Sequence, residues 1–158
     1  MIHFIPSDIV RQLKNKYYEL RSFLTIKDDS GELEDGYRDD NNNLYKRRIL
    51  YKTVIDTPYL IFRIDRLWAN KFYKTKIIPS QIITLQNLKK FALSAVIVFS
   101  AFHYTCYFRC GNKWYYYNDI DNEITLIGNY NSLLKNNDFP NVITNGTVYF
   151  YTKIKNEI

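Results

Sequence analysis

The chain has 158 residues, 46% of them hydrophobic, which is enough for one core and too few for two. Two cysteines exclude a disulfide framework and a cysteine-built metal centre, and they suit an intracellular, reducing compartment, cytoplasmic or nuclear. No run of about 18 uncharged apolar residues occurs, and the N-terminus lacks a basic start followed by a long apolar run. A soluble protein with a net charge of +6 is therefore expected, with no membrane partner and no cofactor.

Met1 to Ile5 is short and apolar. Ser7 follows Pro6 as an N-cap, and Asp8 suits the positive end of a helix. From there Ile9, Leu13, Tyr17, Leu20 and Leu24 recur at three- and four-residue spacing, which predicts an amphipathic helix of about four to five turns. Its other face carries Arg11, Lys14, Lys16 and Arg21. Asp28 to Asn43 holds seven acids against Arg38 and almost nothing apolar, so residues 28–43 read as an acidic, mobile surface loop within a single domain spanning 1–158. The loop has a net charge of −6, which leaves +12 on the remainder.

Leu44 to Arg48 reads as a basic turn, Ile49 to Ile55 as a strand, Thr57-Pro58 as punctuation and Tyr59 to Ile64 as the next strand. The adjacent charges Asp65 and Arg66 read as a structural pair at a strand end. Lys71 to Lys76 interleaves cations with Phe72 and Tyr73, the composition of a nucleic-acid patch, although a solvated loop is the expected use. Further on, Glu123 to Ile127 reads as a short strand, and Asn129 or Asn131 caps a brief helix around Ser132 to Lys135. Asn136 to Pro140 is loop, and Thr147 to Lys153 is a last aromatic strand.

Between these lies the most apolar part of the chain, Ser94 to Asp119, with both cysteines and one of the two histidines. Ser94 to Ser100 is a β-branched run suited to a strand buried on both faces, Ala101-Phe102 is a short break, and His103 to Arg109 and Lys113 to Asn118 flank a Gly111-Asn112 hairpin turn. Pairing Cys110 with Lys113 sets Thr105 opposite Asn118. His103 and Asn118 then share one face as diagonal neighbours about 7 to 8 Å apart, where an Asn side chain can hold an imidazole in one tautomer.

This run resembles the His box of the ubiquitin-specific proteases, papain-like deubiquitinases. The matching residues are Ala95-Val96-Ile97-Val98, His103-Tyr104, Tyr107, Trp114-Tyr115-Tyr116-Tyr117 and Asn118-Asp119. Pro58 to Leu67 is similar to the family's Pro-x-Leu-Ile-x-x-Leu-Lys-Arg-Phe strand, Lys76-Ile77 to its following Lys-Ile, and Val148 to Tyr151 to its closing strand. The resemblance covers about residues 55 to 153. It implies an α+β fold, mainly an antiparallel sheet with the N-terminal helix against it, like the palm part of such a protease. It further implies His103 as general base and Asn118 as its orienting residue, with Phe102, Tyr104, Trp114 and Asp119 in binding positions.

The family's Gly-Asn-Thr-Cys-Tyr nucleophile motif does not occur in these 158 residues, about half the usual catalytic-domain length. Phe102 replaces the Gly that, in the family, lines the slot for the ubiquitin tail. The family's zinc-binding Cys-x-x-Cys pairs are also missing from 28–43, so no metal is expected. Cys106, three residues from His103, falls on the opposite face about 10 Å along, and Cys110 is again an odd number away. Three readings follow. The first is an inactive deubiquitinase-like domain that binds a protein, ubiquitin or a member of a larger complex. The second is an active cysteine hydrolase with an unusual or trans-supplied nucleophile. The third is a basic protein that binds nucleic acid weakly and without sequence preference.

Overall fold

β-branched and aromatic side chains alternating with a period of two bury one face of a strand, and that pattern runs through most of the chain after Pro58. The computed structural model describes residues 2–5, 18–19, 34–38, 44–47, 57–85 and 89–154. In chain order the strands are β1 (Ile2–Ile5), β2 (Tyr18–Glu19), β3 (Glu34–Arg38), β4 (Leu44–Arg47), β5 (Tyr59–Ile64), β6 (Leu67–Trp68), β7 (Lys71–Phe72), β8 (Ile77–Ile78), β9 (Ile82–Thr84), β10 (Lys90–Ser100), β11 (His103–Cys110), β12 (Lys113–Asn118) and β13 (Glu123–Gly128). Two short helices, α1 (Tyr130–Lys135) and α2 (Val142–Asn145), precede β14 (Gly146–Lys153).

The architecture is a mostly antiparallel sheet with few short helices. Its order is β1-β5-β14-β10-β11-β12-β13, with β9 also on β10, and only the β1–β5 pair in it is parallel. β10 is the axis: β14 runs along one side, and β9 and β11 share the other. No helix among the described residues is long and apolar enough to cross a membrane.

Several expectations need correction or fall outside the described residues. The amphipathic helix expected from Ser7 to Leu24 lies outside them, except for Tyr18–Glu19, which are extended and pair in parallel with Ile77–Ile78. Within the stretch read as an acidic loop, Glu34–Arg38 is a strand paired with Leu44–Arg47, itself read as a turn. The strand expected over 49–55 is again outside the described residues.

The core lies on one face of the sheet. Leu60, Phe62 and Ile64 of β5, Val96 and Val98 of β10, Tyr107 of β11, Trp114 and Tyr116 of β12 and Tyr149 and Tyr151 of β14 all point into it, under Leu133 and Val142 of the helices. A buried phenol needs a hydrogen-bond partner, and these find one in the segments that cover the sheet. Tyr149 donates to the Val142 carbonyl (2.7 Å), Tyr151 to Ser80 (2.9 Å) and Tyr107 to Pro140 (3.1 Å). The rings thus supply apolar area while their hydroxyls fix the covering loops.

Arg66 is a second fastener. It does not pair with Asp65, whose Oδ1 accepts the Leu67 N–H instead. At 1% exposure its guanidinium donates to four carbonyls: Nε to Gly146 (2.6 Å), Nη1 to Thr75 (2.7 Å) and Tyr73 (3.1 Å), and Nη2 to Ile143 (3.1 Å). One side chain therefore ties the segment after β7 to the end of α2 and the start of β14.

Candidate functional site

Two tight turns build the site. In the β11–β12 hairpin Gly111 has φ +59°, the left-handed value that the first position of a type II′ turn requires. The resulting pairing, from Cys110 with Lys113 to Cys106 with Tyr117, is the register expected from the turn. In the β10–β11 hairpin Ser100 pairs with His103, and Ala101 and Phe102 have φ of 49° and 62°. Such a turn ordinarily takes Asn-Gly, and a non-glycine residue there costs about 1 to 2 kcal/mol. The ladder from Ala95–Phe108 to Ser100–His103 imposes it nonetheless, leaving Phe102 96% exposed at the tip beside His103.

His103 and Asn118 lie on the core-side face at the end of their strands, with Nε2 2.9 Å from Asn118 Oδ1. Neighbours of fixed polarity set the Asn118 amide: Oδ1 accepts the Ile120 N–H (3.2 Å) and Nδ2 donates to Asp121 Oδ2 (2.6 Å). An oxygen therefore faces the imidazole, and Nε2 must carry the proton. Asp119 Oδ1, 3.0 Å from the same nitrogen, adds a second acceptor. The lone pair is on Nδ1, to which no described residue donates, and the His103 side chain is 31% exposed. The arrangement is a base held in one tautomer with its accepting nitrogen open.

No thiol of this chain stands near that nitrogen. Cys106 is half-buried on the opposite face of β11, and Cys110 is exposed at the far end of the same strand. Burial, and then the negative charge of Asp119, push the Cys106 thiol above its ordinary pKa, away from the thiolate a nucleophile needs. Thr105, two residues from His103 on its face, is buried with no hydrogen-bond partner for its Oγ1.

The other predicted positions separate. Asp119 lies beside the imidazole, whereas the ring of Phe102 turns to the other face, edge-on to Phe99. Tyr104 is exposed on the opposite face of the sheet, where its ring packs at a tilt against Phe99. Trp114 is 2% exposed in the core and supports the sheet from within. Asp121 and the Ile120 N–H, which orient Asn118, escaped the sequence reading. The Asn-Asp-Ile-Asp-Asn run after β12 carries the signal, since an Asx side chain that bonds the N–H two residues on is ordinary turn chemistry. Among the described residues no group of three or more His, Cys, Asp or Glu is arranged to hold a metal ion. No family model matches the chain, and no curated protein matches it.

Proposed function

We propose that this chain is a catalytically silent relative of the ubiquitin-specific proteases that acts by binding a protein partner, with ubiquitin as the first candidate and a larger complex as the setting. One observation carries the reading: a His–Asn pair with a fixed tautomer stands with neither of the chain's two cysteines in reach. A general base of this kind cannot hydrolyse an isopeptide bond by the cysteine route without a thiolate beside it. The order of the matched segments along residues 55 to 153 supports the comparison with such a protease. The exposed Phe102, where the family has Gly, supports a surface that meets a partner without threading its tail. The two unpaired thiols fit an intracellular setting.

A second reading rests on the open Nδ1 of His103. A half-buried imidazole whose Nδ1 accepts from no described residue leaves that nitrogen to a cysteine from another chain, which would make this chain the base-bearing half of a composite hydrolase.

Titration of isotopically labelled ubiquitin with the full chain tests the first reading. Saturable shifts in the ubiquitin spectrum, weakened about fivefold by Phe102→Ser, are the expected result. A ubiquitin spectrum that does not change would remove ubiquitin as the partner.

A further inference from the structure

At one end the main sheet stops at β13, which pairs with β12 alone. The β11–β12 turn closes on the pair Cys110–Lys113, and hydrogen-bonded pairs alternate along an antiparallel ladder, so Tyr116 and Asn118 turn their N–H and C=O groups toward β13. Thr125 and Glu123 stand opposite and answer them. Ile124 and Leu126 therefore aim their backbone groups away from the sheet, and among the described residues nothing hydrogen-bonds to that side. Such an edge is a template for one more strand.

The usual guards of an edge are missing. Lys, Pro and inward charges keep natural edges apart, whereas residues 124–134 contain no charged side chain and no proline. The irregularity in the β12–β13 ladder comes only after Leu126, so the segment from Glu123 to Leu126 is regular. Ile124 and Leu126 are 63% and 55% exposed on the face turned from the core. Each extends an apolar row across the sheet: Leu126 beside Tyr115 and Phe108, whose rings stack at 5.6 Å, and Ile124 beside Tyr117 and Cys106. Both rows end abruptly at the edge.

We infer that β13 pairs antiparallel with β13 of a second copy of the chain, about a two-fold axis at Thr125. The strand is complementary to itself in that register. Ile124 of each copy faces Leu126 of the other as a hydrogen-bonded pair, the two Thr125 side chains meet across the axis, and the apolar rows run on from copy to copy. In a chain of net charge +6 two copies repel each other, and an uncharged edge is where they approach at least cost. Contact between two edges this short falls below the roughly 1,200 to 2,000 Å² of a standard interface, so the dimer is transient, with a Kd of about 10 to 100 μM. Nothing in this depends on the ubiquitin reading.

Sedimentation velocity of the full chain at rising concentration, up to about 300 μM, tests the inference and should show monomer passing into dimer. Leu126→Pro deletes an outward N–H and puts its ring where the second strand lies, while sparing the ladder to β12. It should weaken association by about tenfold or more, and so should Ile124→Lys. Leu67→Lys, which charges a similarly exposed residue on the β6–β7 hairpin, should leave association unchanged. Circular dichroism establishes that each variant is folded, and if Leu126→Pro is not, Ile124→Lys decides. The register is read by Thr125→Cys in a chain with Cys106→Ser and Cys110→Ser. Residues facing across the axis as a non-hydrogen-bonded pair have Cα atoms about 4.5 Å apart, so oxidation should link them into a covalent dimer, whereas Lys113→Cys in the same background stays unlinked. A monomer at every concentration overturns the inference and leaves the edge to a strand from a different protein. A dimer that persists in Leu126→Pro and Ile124→Lys, or one that Thr125→Cys does not cross-link, overturns it as well.

Discussion

Replacing Arg66 by Met removes a buried cation and abandons four carbonyl oxygens that have it as a donor, those of Gly146, Tyr73, Thr75 and Ile143. A hydrogen bond to a charged donor contributes about 1.5 to 3 kcal/mol, and an orphaned buried polar group costs about 1 to 3 kcal/mol. Against this stands the recovered desolvation of the guanidinium, several kcal/mol, which also holds its pKa below the usual arginine value. The balance is a loss of about 3 to 5 kcal/mol, a large part of the roughly 5 to 15 kcal/mol that holds a domain folded. Arg66→Lys should lose nearly as much, because a single ammonium cannot reach carbonyls spread around a planar fork. Urea unfolding of the wild type and both variants reads this directly as a lower midpoint at unchanged slope. A loss below about 1 kcal/mol in Arg66→Met would show that the four bonds contribute little beyond the cost of burying the charge, and would refute the reasoning.

Three more outcomes follow. Gly146→Ala places a Cβ against the Tyr149 hydroxyl and the Val142 carbonyl, so it should cost about 2 to 3 kcal/mol in the same urea assay although the backbone there is ordinary. Burial holds the phenols of Tyr107, Tyr149 and Tyr151 well above their usual range. The folded state keeps these protons after the unfolded chain has released its own near pH 10, so their contribution is complete below that pH and is lost as pH rises toward the folded values. Each phenol removes about 1.4 kcal/mol per pH unit there, and urea midpoints that stay level from pH 9 to 11 would contradict it, all pH values being approximate. Nitrogen NMR of the imidazole should show the neutral His103 protonated at Nε2; a dominant Nδ1–H form would mean that Asn118 does not set the tautomer.

The Gly111-Asn112 dipeptide made the site legible, because a two-residue turn admits one register and the register alone brings His103 and Asn118 to one face. The same alternation put Cys106 on the other face, and Asn129 caps α1 as its position before the helix suggested. The use of Arg66 was not legible. Its acceptors include carbonyls about 80 residues further along the chain, and a guanidinium beside Asp65 looks locally like half of an ion pair. Trp114 stood in a motif position but is needed by the core, and the pattern of a motif does not separate the two uses. α2 is a four-residue turn held by Asn141 and the Arg66 side chain, too short for a periodicity to announce it.

Neither cysteine of this chain stands where the His103–Asn118 pair could activate it. Wild type, His103→Ala and Cys106→Ser should be incubated with a fluorogenic ubiquitin substrate and with a ubiquitin probe bearing a C-terminal electrophile, with melting temperatures recorded alongside. No turnover and no adduct are expected from any of the three, and a melting temperature for His103→Ala close to that of the wild type. Turnover and adduct in the wild type that vanish in both variants would contradict this and make Cys106 the nucleophile of a working hydrolase.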